Sequence, residues 1–393
     1  MTEAVAIVGM ACRYPDARTP EELWQTVLAR RRAFRRLPEE RLHLQDYSAA
    51  YDADPDAIYP IEAAVLEDYA FDRARFRIPT GAVASADLTH WLALDVATDA
   101  LADAGLLADG ALARDNTAVI VGNTLTGEFS RAGLLRGRWP YVRRQLDAAL
   151  VDEGFEANRR SSFLQRFEDA YKAPFPPPDE ETLAGGLSNT IAGRICNYYD
   201  LHGGGYTVDG ACASSLLAVA HACRLLESNE VRTVLAGGVD LSLDPFELVG
   251  FARNGALSKS VMRVFDRQSD GFWPGEGCGF VVLKRVDAAA AGHHRVRALI
   301  RGWGISSDGA GGLTRPTISG QRTALERAYR RAGFGPGSSP CLRPTALEPR
   351  SATQSKSQRS PRRAAAPASK FQPSWARSRP ISVTQRRRPV SPD

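Results

Sequence analysis

Four stretches of the chain are largely apolar at consecutive positions rather than alternating, 4–9 (AVAIVG), 117–122 (TAVIVG), 231–240 (VRTVLAGGVD) and 276–284 (EGCGFVVLK), and 296–304 reads as a further strand. Apolar character on both faces is the mark of a central parallel strand covered by helices on either side. Helical stretches lie between them. In 19–30, Thr19 can cap, Pro20 takes the first position, and Glu21 and Glu22 suit the first turn. Leu23, Trp24, Val27 and Leu28 form its inward stripe. Residues 87–104 turn Leu92, Val96, Ala100 and Leu101 inward. A glycine-led helix spans 184–197 and another spans 319–332. Residues 31–80 read as loop-rich. Residues 123–183 read as an insertion of helices and loops ending in the stiff PFPPP of 174–178. Strands alternating with buried helices predict an α/β fold with mostly parallel sheets.

The most informative stretch is 203–226, GGGYTVDGACASSLLAVAHACRLL. A short β-type run, 206–208, is turned by Asp209 and Gly210. An uncharged helical run then extends to Arg224. A helix apolar or small on every face predicts a buried helix, with Cys212 on the strand-to-helix turn at its start. Helix-end N–H groups and the macrodipole favour a thiolate and can stabilise an oxyanion beside it. The turn resembles a nucleophile elbow with sulfur in place of the serine oxygen. The small neighbours Ala211, Ala213 and Ser214 leave room for an acyl chain. Buried cysteines are also common packing residues, and these residues alone leave both readings open.

Length and charge refine this picture. The chain has 393 residues, 44% hydrophobic, enough for two domains or one large α/β unit. No apolar run reaches the roughly 20 residues of a membrane span, and the N-terminus reads as a strand, not a secretory signal. Cysteines 12, 196, 212, 223, 278 and 341 follow neither metal nor disulfide spacing, which predicts a reducing cytoplasm. The net charge of +5 is unevenly spread: 12 basic and 2 acidic residues fall in 338–393, leaving 38 basic and 43 acidic in 1–337.

The run VDGACASSL at 208–216 resembles the active-site signature of β-ketoacyl synthases of polyketide and fatty-acid synthases. AIVGMACRYPDARTPEELW (6–24), SNTIAGRICNYYDLHG (188–203), LAGGVDL (235–241) and FDRQSDGFWPGEGCGFVVLKR (265–285) resemble other segments of that family, in the right order. ADLTHWLALDVA (86–97), GNTLTGEFSRA (122–132), RWPYVRR (138–144) and GLTRP (312–316) resemble the enediyne type of iterative type I polyketide synthase, with polyunsaturated fatty-acid synthases the nearest competitor. The resemblance implies a thiolase-like αβαβα layered fold and a homodimer joined through a strand near the nucleophile. It implies that Cys212 takes an acyl group as a thioester. A malonyl unit on an acyl carrier protein would then lose CO₂ and attack it, with the Cys212 N–H and a second N–H holding the oxyanion. No metal or cofactor is implied beyond the phosphopantetheine arm on the carrier. By family position Thr314, with Arg315, would line the acyl pocket as a substrate-binding residue.

The resemblance covers 1 to about 337 and then stops. It divides the chain into an N-terminal half with the nucleophile (1–285), a partial C-terminal half (286–337) and a basic Pro/Ser/Arg-rich tail (338–393). The second half is therefore incomplete. The family's two histidines lie in an HGTGT-type and an NIGH-type loop, and neither motif is present. The six histidines are 43, 90, 202, 221, 293 and 294. His221 lies about two and a half turns beyond Cys212 on the same helix, which suits a packed or capping role. The pair 293–294 reads as a solvated turn. The tail has nine prolines, eleven serines and no glycine, a composition that predicts disorder. Translation out of frame from about residue 338 accounts for it better than a basic arm for nucleic acid, and predicts an HGTGT-type peptide in another frame just past codon 337. The functional expectation is a condensing enzyme inactive as written. The alternatives are a non-catalytic carrier-binding or dimerisation partner and nucleic-acid binding through the tail. Cys12, Cys196, Cys223 and Cys278 read as packing residues, Asp266, Gly271 and 275–279 as turn residues with a buried-network anchor at Glu276 as the alternative, and DGAGG at 308–312 as a plain loop lacking the P-loop lysine.

Overall fold

In the computed structural model, residues 4–48, 54–59, 61–241, 243–264, 266–310, 316–338 and 383–385 are described. A seven-stranded sheet forms the frame. Its strands are β1 (Val5–Arg13), β2 (Thr117–Gly122), β3 (Gly205–Val208), β4 (Thr233–Asp240), β5 (Gly277–Arg285), β6 (Ala298–Gly302) and β7 (Val383–Gln385). They lie in the order β3-β2-β4-β5-β1-β6-β7. Only β2 runs parallel to its neighbours, β3 and β4. The pairs β4–β5, β5–β1, β1–β6 and β6–β7 are antiparallel. The expected mostly parallel sheet is thus mixed. Strands buried on both faces report that helices cover the sheet, not which way its strands run.

Alternation along each strand feeds two cores. Val119, Val121, Leu235, Val239, Ala6 and Val8 pack on one side against Leu92, Val96, Ala100, Ile191 and Ile195, which belong to α2 (Leu88–Asp103) and α6 (Asn189–Tyr199). Ala118, Ile120, Val234, Ala236 and Ile7 pack on the other against Ala218, Ala222 and Leu226 of α7 (Ser214–Glu227). These three layers are one helix–sheet–helix half of the expected fold. A satellite core joins Leu37, Ile58, Tyr59 and Val65 of the loop-rich segment to Leu248 of α8 (Pro245–Arg253). The insertion forms α3 (Glu128–Gly137), α4 (Trp139–Asp152) and α5 (Ala157–Lys172). Finally, α9 (Ile318–Ala332), capped by Thr317, packs on β6. No helix among the described residues is long and apolar enough to cross a membrane.

Two burial expectations change. Helix α1 (Pro20–Leu28) has the expected Thr19 cap, which accepts from the Glu22 N–H, yet contains no buried residue. Trp24, Val27 and Leu28 are exposed, because the helix rests on the end of β1 and no described element covers its apolar stripe. Helix α7 buries Ala218, Ala220, Ala222, Cys223 and Leu226, but Leu216, Leu217, Val219, His221 and Leu225 are only half-buried. No second sheet among the described residues lies over that face. Within the tail, 383–385 form β7, with Leu299 opposite Gln385 and Ile300 opposite Thr384. Residues 339–382 and 386–393, and the frame-change expectation placed on them, lie outside the described residues.

Candidate active site

The site is built where β2, β3 and β4 end and α7 begins. Strand β3 runs beside β2, and Thr207 fixes it further by donating its hydroxyl to the Ser188 carbonyl (2.8 Å). The chain then turns through Asp209 and Gly210. Asp209 Oδ1 accepts from the Ala211 N–H (2.8 Å) and from the Thr124 hydroxyl (2.7 Å). The Ser214 hydroxyl accepts from the Gly210 N–H (2.9 Å) and donates to the Ala211 carbonyl (2.6 Å). Ala211 sits at φ 52°, in the left-handed region that costs a residue with a Cβ of order 1–3 kcal/mol unless its surroundings hold it there. Its two neighbours in the hydrogen-bond network, Asp209 and Ser214, do so. Cys212 follows at once, in the single 3₁₀ turn Ala211–Ala213 that opens into α7.

The result is an exposed cysteine residue on a backbone that is anchored from both sides. Two glycines let the helix start sit directly on the strand ends. A Cβ on Gly122 would lie 2.5 Å from the Ser215 nitrogen, and one on Gly238 would lie 2.7 Å from the Ser215 Cβ. Buried Asn123 knits the floor. Its amide donates to the Val239 carbonyl (2.9 Å), and its oxygen accepts from the Ser188 hydroxyl (2.6 Å) and the Thr126 N–H (3.0 Å). The turn beyond it holds Leu125 and Thr126 both at φ 63°. Asp87 braces that turn from behind: it caps α2 through the Thr89 N–H (2.8 Å) and accepts from the Phe129 N–H (2.8 Å) at the start of α3.

The other cysteines are held differently. Burial pushes the Cys12 and Cys196 thiols up to about 11 and Cys223 to about 12, and raises Cys278 well above the usual thiol range. These four are protonated packing groups at neutral pH, as their sequence context implied. Cys212 alone among the described cysteines is exposed.

The histidines are distributed around the fold. His90 is fully buried, and burial, then the Arg194 charge, lower it to about 4. His202 pairs with Asp200 (3.1 Å) on the surface. His221 faces the Tyr206 ring and lies about 13 Å along the helix axis from Cys212. His294 departs from the solvated reading: its Nδ1 lies 3.3 Å from the Ala104 carbonyl, and burial lowers its pKa. Glu276, read first as part of a turn, anchors a buried network instead. Its buried carboxylate pairs with Arg41 and accepts from the Leu66 N–H (2.9 Å), and burial raises its pKa. Asp308 accepts from the Thr317 N–H and hydroxyl (both 3.0 Å) and so clamps the start of α9; residues 311 and 312 of the DGAGG run lie outside the described residues. Thr314 and Arg315, expected in the acyl pocket, lie outside the described residues.

Sequence reading placed Asp209 in the turn but missed Thr124 and Asn123 as parts of the elbow. The Asp-Gly pair signalled a turn, but nothing local showed that its carboxylate reaches a residue 85 positions away.

Comparison with known proteins agrees with this geometry. The family model Beta-ketoacyl synthase, N-terminal domain, matches residues 2–289. One of the phenolphthiocerol/phthiocerol polyketide synthase chains of Mycobacterium tuberculosis is 33% identical over 346 residues, which span 86% of this chain and 16% of that protein. A polyunsaturated fatty acid synthase chain of Thraustochytrium is 31% identical over 340 residues, 86% of this chain and 12% of the other. Among solved structures, the oxazolomycin ketosynthase domain of Streptomyces albus superimposes with a TM-score of 0.70 at 27% identity, covering 85% of this chain and 53% of that one. The module 6 ketosynthase of the bacillaene synthase from Bacillus subtilis gives 0.65 at 27%, covering 84% and 49%. The chain thus spans about half the length of these ketosynthases and a smaller share of the curated relatives.

Proposed function

The chain belongs to the β-ketoacyl synthase family, and from that membership we propose that Cys212 accepts an acyl group within a type I polyketide synthase, of the enediyne type. The observation that carries the proposal is that Cys212 is an exposed residue directly after left-handed Ala211, in the 3₁₀ turn that opens into α7. The Cys212 thiolate attacks the carbonyl carbon of an acyl thioester on a carrier protein. The oxyanion that forms is stabilised by N–H groups at the helix start. It collapses with cleavage of the carrier C–S bond, and the carrier thiol takes up the proton that Cys212 gave up. The acyl group is then held as an enzyme thioester. The acyl carrier protein, with its phosphopantetheine arm, is the partner, and the cytoplasm is the compartment.

In the family's second step, malonyl-carrier loses CO₂ and its carbanion attacks the Cys212 thioester. That step calls for histidines beside the sulfur, and the sequence has none after 294. The chain as it stands therefore acylates without condensing. Homodimerisation through β3 is favoured by its place at the sheet edge, where among the described residues its backbone pairs only with β2. Such an unpaired edge accepts a second strand.

The test combines the chain with acyl-carrier and malonyl-carrier and follows it by intact mass and product analysis. The expected result is an acyl-enzyme adduct, absent in Cys212→Ala, and no β-ketoacyl product. A condensed product overturns the inactive reading. Carrier binding without any adduct favours instead a non-catalytic partner, a role consistent with the missing histidines.

A further inference from the structure

A second concave site lies away from the elbow, between α7, the end of β6 and α9. It is an open cleft of about 420 Å³ lined by Arg224, Trp303, Ile305, Arg327, Arg330 and Arg331. Trp303 is buried and forms part of the wall, with the Arg224 guanidinium 4.8 Å and the Arg331 guanidinium 3.9 Å from its ring centroid. Its indole N–H has no hydrogen-bond partner among the described residues. Glu227 holds Arg331 with both carboxylate oxygens (2.9 and 2.7 Å). Arg327 donates to the Ile305 carbonyl. Among the described residues, no carboxylate pairs with Arg224, Arg327 or Arg330.

Four guanidinium groups therefore share one cleft with a single carboxylate. Like charges brought together repel unless an anion balances them. We propose that this cleft binds a phosphate-bearing ligand. Guanidinium forks match phosphate oxygens in pairs, which lysines cannot do. A phosphate monoester carries about −1.5 to −2 charges at neutral pH, nearer than one carboxylate to the three cations left unbalanced. The cleft also exceeds what a bare ion fills, since a water molecule takes about 30 Å³ of liquid. Trp303 and Ile305 give its floor an apolar surface for the organic body that carries the phosphoryl group. Arg224 is twelve residues from Cys212, about 18 Å along the helix, so the cleft is separate from the nucleophile.

The test is calorimetric titration of the full chain, its Cys212 first blocked with iodoacetamide so that binding at the elbow does not count. The probes are pyrophosphate, coenzyme A and pantetheine, the last carrying no phosphate. Coenzyme A and pyrophosphate are expected to saturate one site, pantetheine to bind at least about tenfold more weakly, and inorganic phosphate to displace coenzyme A. The double substitution Arg224→Gln, Arg330→Gln is expected to weaken both phosphate probes at least about tenfold, while the variant stays folded by circular dichroism and unblocked Cys212 keeps its alkylation rate. Absence of saturable binding by either probe overturns the proposal. So does binding that survives the double substitution, or pantetheine binding as tight as that of coenzyme A. Failure of Cys212 to acylate would leave this result untouched.

Discussion

The carboxylate of Asp209 accepts two hydrogen bonds at one oxygen, from the Ala211 N–H and the Thr124 hydroxyl. This is the local reason that Ala211 can stay at φ 52° and leave the following residue, Cys212, exposed. Removing the carboxylate has two opposed effects. Loss of a negative charge near a thiol favours the thiolate, whereas loss of the two hydrogen bonds releases the elbow. The limiting alkylation rate above the thiol pKa separates them, because ionisation is complete there. For Asp209→Ala that plateau is expected to fall about tenfold, equivalent to about 1.4 kcal/mol, with Asp209→Asn retaining most of it through its remaining acceptor oxygen. An unchanged plateau in Asp209→Ala would show that the elbow holds without the carboxylate. Cys212 itself was legible in the sequence because its signature is local: a β-type run, an Asp-Gly turn, small residues, then a helix. Its supports were not, because Thr124 and Asn123 meet it only through the fold.

At the scale of elements, the elbow depends on how closely α7 approaches β2. Gly122 is where they meet, with its hypothetical Cβ 2.5 Å from the Ser215 nitrogen. Backbone cannot move aside as a flexible side chain can. Gly122→Ala is therefore expected to destabilise the chain by about 3 kcal/mol, the upper part of the range for overpacking, as read from the midpoint of urea unfolding. A midpoint unchanged within error would mean that the helix start is not seated on the strand. Strand identities were legible because each is a short apolar run of its own. Their directions were not. The pairing of β1 with β5 and β6 joins segments far apart in sequence, and burial on both faces looks the same in a parallel or a mixed sheet. The apolar stripe of α1 misled for a related reason: Trp24, Val27 and Leu28 mark a face suited to burial, but periodicity does not supply the element that buries it.

At the scale of the whole molecule, the described residues complete one helix–sheet–helix half, and β6 with α9 add the beginning of more. The half-buried face of α7, with Leu216, Leu217, Val219 and Leu225, runs back from Cys212 along the same helix, so the reactive end and the incompletely covered face belong to one element. Four other cysteines are buried or half-buried, with thiols pushed up to about 11 for Cys12 and Cys196, to about 12 for Cys223, and well above the usual thiol range for Cys278. That contrast makes the central claim directly measurable. The full chain is incubated at neutral pH with a short-chain acyl thioester, quenched in acid, digested and mapped by mass spectrometry. The account predicts one acyl group on the peptide containing Cys212 and none on those containing Cys12, Cys196, Cys223 or Cys278. An acyl group on any of those four in preference to Cys212, or none on the chain, would contradict it.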